Sequence, residues 1–257
     1  MTDATRAEVC AAACADLFLG DGEIMASPMG LIPTIGARLA KLTSSPDLLV
    51  TDGEALILGT VPAIGEKSEF VEGWMPFRKV FEVVAYGRRH VIMGATQIDR
   101  YGNQNISAIG DFEKPTRQLL GVRGAPGNTV NNRTSYWVPR QSARVMVERV
   151  DIVSGIGWSR AQEAGPAAAR YNDIHRVVTN LGVYDFGGDG HSLRLLSVHP
   201  GVTVAEALEA SGCAIQIDGD VTETRSPADD ELRLIREVID PRGLREREVA
   251  PVPAIAT

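Results

Sequence analysis

What this 257-residue chain lacks narrows the field before anything it contains. No apolar run approaches the roughly 18 residues of a membrane span, and no basic region followed by an apolar core opens the chain. A soluble, cytoplasmic protein without a membrane partner is the expectation. Three cysteines are too few and odd in number for the disulfide framework of a secreted domain, so a reducing compartment is expected. Cys10 and Cys14 stand four apart on an expected helix with no histidine or third cysteine nearby in sequence, which reads as buried packing. His90, His175, His191 and His199 show no metal-ligand spacing, and no metal is expected; His199-Pro200-Gly201 reads as a structural turn. No serine occupies a Gly-x-Ser-x-Gly elbow. The lysine and Ser/Thr of a P-loop and the Gly-x-Gly-x-x-Gly of a dinucleotide fold are also missing.

The composition that remains is 44% hydrophobic with a formal net charge of −7. That is enough apolar material for the core of one large α/β domain, expected over residues 1–248 with a proline-broken tail over 249–257. The acidic balance argues against nucleic acid as a partner. Charge is unevenly spread, however: Lys114, Arg117, Arg123, Arg133, Arg140, Arg144 and Arg149 face a single acid, Glu148, within one stretch. Such a cluster either receives a multiply anionic ligand or is a solvated face whose arginines pair elsewhere.

Thr5-Arg6-Ala7-Glu8 has capping-box spacing for a first helix through Phe18, and Thr203-Val204-Ala205-Glu206 has it for a late one ending near Gly212. Helices are expected over 31–42 and 229–239. Strands are expected over 24–26, 47–51, 80–86, 90–93, 145–152, 176–179, 183–186 and 193–198, with a turn at Gly87-Arg88-Arg89. Residues 59–75 show no clear period and read as a lid or interface loop.

Two polar, glycine-punctuated segments dominate the middle: Gly94-Ala95-Thr96-Gln97-Ile98-Asp99-Arg100-Tyr101-Gly102-Asn103-Gln104-Asn105 and Gly121-Val122-Arg123-Gly124-Ala125-Pro126-Gly127-Asn128. Each follows an apolar run, Val91-Ile92-Met93 and Leu119-Leu120, which places both at the carboxyl edge of a parallel sheet, where open α/β sheets bind ligands. Other landmarks are Ser45-Pro46-Asp47-Leu48-Leu49-Val50, Thr179-Asn180-Leu181-Gly182-Val183 and His199-Pro200-Gly201-Val202-Thr203. Their order resembles that of class I coenzyme A transferase β chains over roughly residues 5–215, and looks closest to the branch that opens a steroid-derived ring in a CoA thioester.

The resemblance implies an open three-layer α/β/α domain with a mostly parallel, mixed sheet. It also implies a homologous α subunit in an α2β2 heterotetramer, with the active site between the chains. Coenzyme A would enter as part of an acyl-CoA substrate, with no tightly bound cofactor. The implied reaction is hydrolytic carbon–carbon cleavage of a cyclic β-keto acyl-CoA in sterol (cholesterol) catabolism. The alternative is a genuine CoA transferase that moves CoA between carboxylic acids.

For the site, the resemblance assigns Gly94, Ala95, Asn103, Gly121, Gly124, Ala125 and Asn128 to substrate and CoA. Asparagines in turns also serve the local backbone, and Asp99 either fixes its loop or touches substrate. Family transferases acylate a glutamate near the end of an early strand, where this chain reads Val50-Thr51-Asp52-Gly53-Glu54-Ala55. Asp52 fits the strand-end acid but is one methylene short, and Glu54 follows the turn glycine, so transferase chemistry is disfavoured. Asp52 is either an active-site acid or a turn cap. Arg123 stands where the family often has glycine. Its planar donors suit an enolate oxygen or a carboxylate of the substrate, the other readings being a phosphate contact or an exposed arginine.

Overall fold

A computed structural model describes residues 4–53 and 55–249. The first helix, α1 (Arg6–Asp16), opens on the expected capping box: the Thr5 side chain accepts the Glu8 amide, and the Glu8 carboxylate accepts the Thr5 amide at 2.9 Å. The second, α2 (Leu31–Leu42), matches its expected bounds. Both cysteines of α1 are buried in packing, and a Cβ on Gly36 of α2 would lie 2.6 Å from that of Cys14. The two helices cross that closely because glycine stands there.

Seven strands form the main sheet in the spatial order Met25–Pro28, Arg89–Gly94, Arg133–Val138, Asp173–Thr179, Gly182–Asp185, Arg194–Val198, Thr222–Glu223. The first four run parallel, the next two pairings are antiparallel, and the last is parallel again. This is the mixed, mostly parallel sheet that was expected. Successive strand residues point to opposite faces: Ile92 joins Phe18, Ile35 and Trp137 beneath α1 and α2, while Val91 and Met93 join Tyr136, Val177 and Tyr184 on the other side. The second face is covered by the Trp158–Glu163 and Val204–Glu209 helices and a small sheet of Gln97–Asp99, Gln104–Asn105 and Met146–Val147.

Several local expectations are corrected. Residues 80–86 are not a strand but lie in α3 (Phe77–Tyr86). β-branched and aromatic content suggested extension, yet Phe77, Val80, Phe81 and Val84 recur at three- and four-residue spacing, the helical period. Residues 47–51 make only isolated bridges, Met25 with Leu49 and Thr51 with Ile57, although Leu48 and Val50 are buried. Only Met146–Val147 of the expected 145–152 strand pairs, and it does so outside the main sheet. Within 59–75, Val71–Trp74 pairs antiparallel with Leu56–Leu58. The expected last helix is α-helical over Asp229–Arg233 and continues as a wider π turn over Leu234–Ile239. Val249, assigned to the tail, packs into the core; the rest of that tail, 250–257, lies outside the described residues.

Candidate active site at the carboxyl edge of the sheet

The first glycine segment starts where the Arg89–Gly94 strand ends, as its apolar run implied. Gly94 is exposed and Ala95 half-buried, so backbone is presented at this edge. Behind them the loop is tied down. Asp99 Oδ1 accepts the amides of Tyr101 and Asn103 at 3.0 and 3.1 Å, and the Asn103 side-chain amide donates to both Asp99 oxygens. Asn103 Oδ1 in turn accepts the Gly157 amide at 2.7 Å. Burial raises the Asp99 carboxyl above its usual range despite these bonds. Asp99 therefore fixes the loop, and Asn103 is buried with its amide committed to the same knot. Asn105 likewise bonds Gln97 and the Ala108 carbonyl, both at 2.7 Å.

The second segment does not leave the main sheet. Leu119 and Leu120 follow Pro115–Gln118, which pairs only with Ala108–Gly110 in a peripheral hairpin. The chain then turns through Gly121 (φ 85°) and Arg123 (φ 50°) into α4 (Ala125–Asn131), capped by Gly124. A non-glycine residue in the left-handed region is strained, a feature that clusters at functional sites. The Arg123 side chain is exposed and engages no described residue. Ala125 is buried at the start of α4, and Gly124 is exposed. Asn128 is buried one turn on: its amide donates to the Gly124 carbonyl at 2.9 Å, and its Oδ1 accepts Arg89 Nη1 at 3.1 Å. Asn128 thus ties the Arg123 loop to the first residue of the neighbouring strand. Of the basic cluster, Arg133 is a framework residue paired with Asp21 and Asp173, and the other six are exposed.

Asp52 borders a cavity of about 280 Å³ lined also by Met25, Ser27, Arg38, Val80, Val83 and Arg89. Its Oδ1 accepts the amides of Ala55 and Leu56, each at 3.0 Å, so the turn-capping role is realised. Glu54, the other candidate acid, lies outside the described residues. Nothing in the sequence pattern singled out Arg38 or Arg89. The available signal was a cation within the apolar repeat of Ile32, Ile35 and Leu39, and another leading the apolar His90–Met93 strand.

A serine, a histidine and an aspartate do line up elsewhere: Ser135 Oγ lies 2.9 Å from His90 Nε2, and His90 Nδ1 lies 2.6 Å from Asp21 Oδ2. Ser135 and His90 are wholly buried, so no substrate carbonyl reaches the hydroxyl. Burial works against the Asp21 charge, yet the bonds from His90 and Arg133 hold its carboxyl below the usual range. His199 is buried as well, bonded to Thr224 and the Thr179 carbonyl. Among the described residues no His, Cys, Asp and Glu cluster could hold a metal, and no helix is long and apolar enough to cross a membrane.

No family model matches the chain. Individual relatives do. The cholesterol ring-cleaving hydrolase IpdB subunit of Rhodococcus jostii (strain RHA1) is 60% identical over 97% of this chain and 98% of that protein. The chain belongs to the IpdB family. The crystal structure of R. jostii RHA1 IpdAB superimposes with a TM-score of 0.92, covering 97% of this chain and 100% of that one. Glutaconate coenzyme A-transferase from Acidaminococcus fermentans, 24% identical, matches with a TM-score of 0.80 over 98% of this chain and 99% of that one, which establishes the shared fold of IpdB and coenzyme A transferase subunits.

Proposed function

We propose that this chain is the β subunit of a hydrolase that opens the ring of a cyclic β-keto acyl-CoA by carbon–carbon bond hydrolysis in cholesterol catabolism, active only with an α subunit. The observation that carries this reading is the 60% identity over 97% of the chain to an IpdB subunit. An α2β2 assembly in the cytoplasm is the arrangement we favour; three free cysteines, two of them buried, suit a reducing compartment.

In this reading a glutamate of the α chain activates water, which adds to the ring ketone. Collapse of the tetrahedral adduct breaks the bond between that carbon and the carbon beside the thioester. The ketone carbon leaves as a carboxylic acid, and the electron pair stays on the thioester as an enolate that is then protonated. CoA remains attached throughout. Developing negative charge needs donors already in place. Arg123, exposed on a strained backbone without a partner among the described residues, is suited to supply them together with amides of 121–125. Gly94, Ala95, Gly121, Gly124 and Ala125 would let backbone approach the thioester. Asn103 and Asn128 act from behind by holding the two loops. Asp52, already capping its turn, forms a wall.

Co-expression with the α chain, followed by mass spectrometry of a cyclic β-keto acyl-CoA in oxygen-labelled water, tests the reading. Uptake of one labelled oxygen with CoA retained is expected. Transfer of CoA to an added carboxylic acid, with an acylated Asp52 trapped by hydroxylamine, would instead establish a transferase.

A further inference from the structure

Three arginines are more than nine-tenths buried among the described residues: Arg38, Arg89 and Arg245, at 7%, 6% and 8% exposure. Arg245 has its charge answered by Glu8 at 2.8 Å and Asp240 at 3.1 Å. The other two have no carboxylate within ion-pair distance among those residues. Arg38 Nη1 donates to the Pro62 carbonyl at 2.7 Å; Arg89 donates to Ser27 Oγ and Asn128 Oδ1, each at 3.1 Å. All of these acceptors are neutral. Burial without a counter-charge pushes Arg89 down to about 10 and lowers Arg38 as well.

Burying one unpaired guanidinium is costly, and chains rarely accept it without a return in function. Here two of them line the same cavity of about 280 Å³, against one acid among the described residues, Asp52, whose Oδ1 already accepts the Ala55 and Leu56 amides. An anion entering that recess would restore the charge balance. The other walls say what kind of anion. Met25, Val80 and Val83 are apolar, so the occupant joins hydrocarbon to its charge. The volume falls just under the ~300–1,000 Å³ of pockets that enclose a whole drug-sized ligand, which suits one end of a larger molecule. A hydrated, phosphate-rich carrier fits neither property.

We propose that the Arg38–Arg89 recess binds a free carboxylate borne by the acyl group of the substrate, separate from its thioester. The proposal rests on the acyl-CoA reading above and adds a specificity site to it. Arginine forks match carboxylates bidentately. The recess is also mechanically joined to the Arg123 loop, because Arg89 bonds Asn128 and Asn128 bonds the Gly124 carbonyl. Seating the carboxylate therefore sets where the ring lies against the enolate donors.

Two measurements on the co-purified two-chain enzyme test this. The first follows its melting temperature with glutarate, a short dicarboxylate, against neutral glutaramide. A saturable rise with glutarate alone is expected, abolished in Arg38→Gln and Arg89→Gln and partly kept in the matching lysine variants. The second compares KM for an acid-bearing cyclic β-keto acyl-CoA and for its methyl ester. In the glutamine variants KM for the acid should rise about 10- to 100-fold more than KM for the ester, any disturbance passed through Asn128 to the Arg123 loop acting on both substrates alike. Equal effects on acid and ester, no response of wild type to glutarate, or loss of α-chain association by a folded variant would each overturn the proposal, the last by assigning the counter-charge to the partner. Glutarate binding without ring opening would keep the site and sink the hydrolase reading. Ring opening with equal KM for acid and ester would do the reverse.

Discussion

The layer of α1 and α2 and the segment from Leu56 to Tyr86 are both rich in apolar residues, yet they treat those residues in opposite ways. Nine consecutive residues of α1 are buried, Ala7 to Ala15, and even Glu8 among them is answered by Arg236 and Arg245. No residue of α3 is buried. Trp74, Phe77 and Phe81 are 72%, 74% and 62% exposed, and the two phenylalanines stack edge to face at 5.3 Å with nothing described above them. Exposed aromatics of this kind are what interaction faces present. The first region completes its packing within the chain; the second is suited to be finished by the α subunit. The Arg38–Arg89 cavity lies on their boundary, with α2 supplying Arg38 and α3 supplying Val80 and Val83. One wall belongs to the layer packed within the chain, and the other to a helix with no buried residue.

The largest expected effect breaks chemistry without touching the packed layer. Arg123→Ala should lower kcat about 10²- to 10³-fold with unchanged α-chain association, measured by steady-state kinetics and gel filtration. Arg123→Gly should be equally slow and about 1 kcal/mol more stable, because glycine accepts a φ of 50° without strain. Unchanged turnover in both would remove Arg123 from the reaction.

On the packed side the next largest effect is acid sensitivity. Burial chiefly pushes His199 down to about 4, against about 6.5 in an unfolded chain. Between those values the unfolded state binds a proton that the folded state refuses, so stability falls as pH drops through that window. The loss totals about 3 kcal/mol by the lower end and is absent above it. Urea midpoints at about pH 7 and about pH 5 should differ accordingly in wild type and less in His199→Gln.

The same contrast explains what could be read from sequence. Capping boxes at Thr5 and Thr203, the bounds of α2 and the strands expected at 176–179 and 183–186, found within Asp173–Thr179 and Gly182–Asp185 but for the last residue, were legible because local chemistry and burial agree there. α3 was misread because only part of its apolar stripe, Val80, Val83 and Val84, meets the rest of the chain while Phe77 and Phe81 stay exposed, and its β-branched content outweighed its period. At the site, Arg123 was visible as a departure from the family pattern, and Gly94 as the start of a glycine-punctuated segment after an apolar run. Arg38 and Arg89 were not, since a cation in an apolar repeat looks the same whether its partner is a side chain, as for Arg245, or a recess.

The open face can be tested directly. Trp74→Ala should leave the isolated chain within about 0.5 kcal/mol of wild type while weakening α-chain binding about 10- to 30-fold, the loss expected of an aromatic anchor. Equal loss of both would mean that Trp74 packs within the chain after all.

The smallest effect probes the packed side at its tightest point. Gly36→Ala brings a methyl to 2.6 Å from Cys14 Cβ and 3.0 Å from the Ala11 carbonyl oxygen, where backbone has to move. Overpacking of this kind costs about 1–3 kcal/mol, and alanine returns up to about 1 kcal/mol of helix propensity, so a net loss near 1 kcal/mol is expected in urea titration. Gly53→Ala, beside Asp52, meets nothing within 4 Å and loses stability only through its φ of 90°. The two losses can be equal in size and still differ in kind. At Gly36 the loss should grow steeply with side-chain volume, serine to valine, whereas at Gly53 it should stay flat, because space is short in the layer that closes on itself and free in the turn at the cavity.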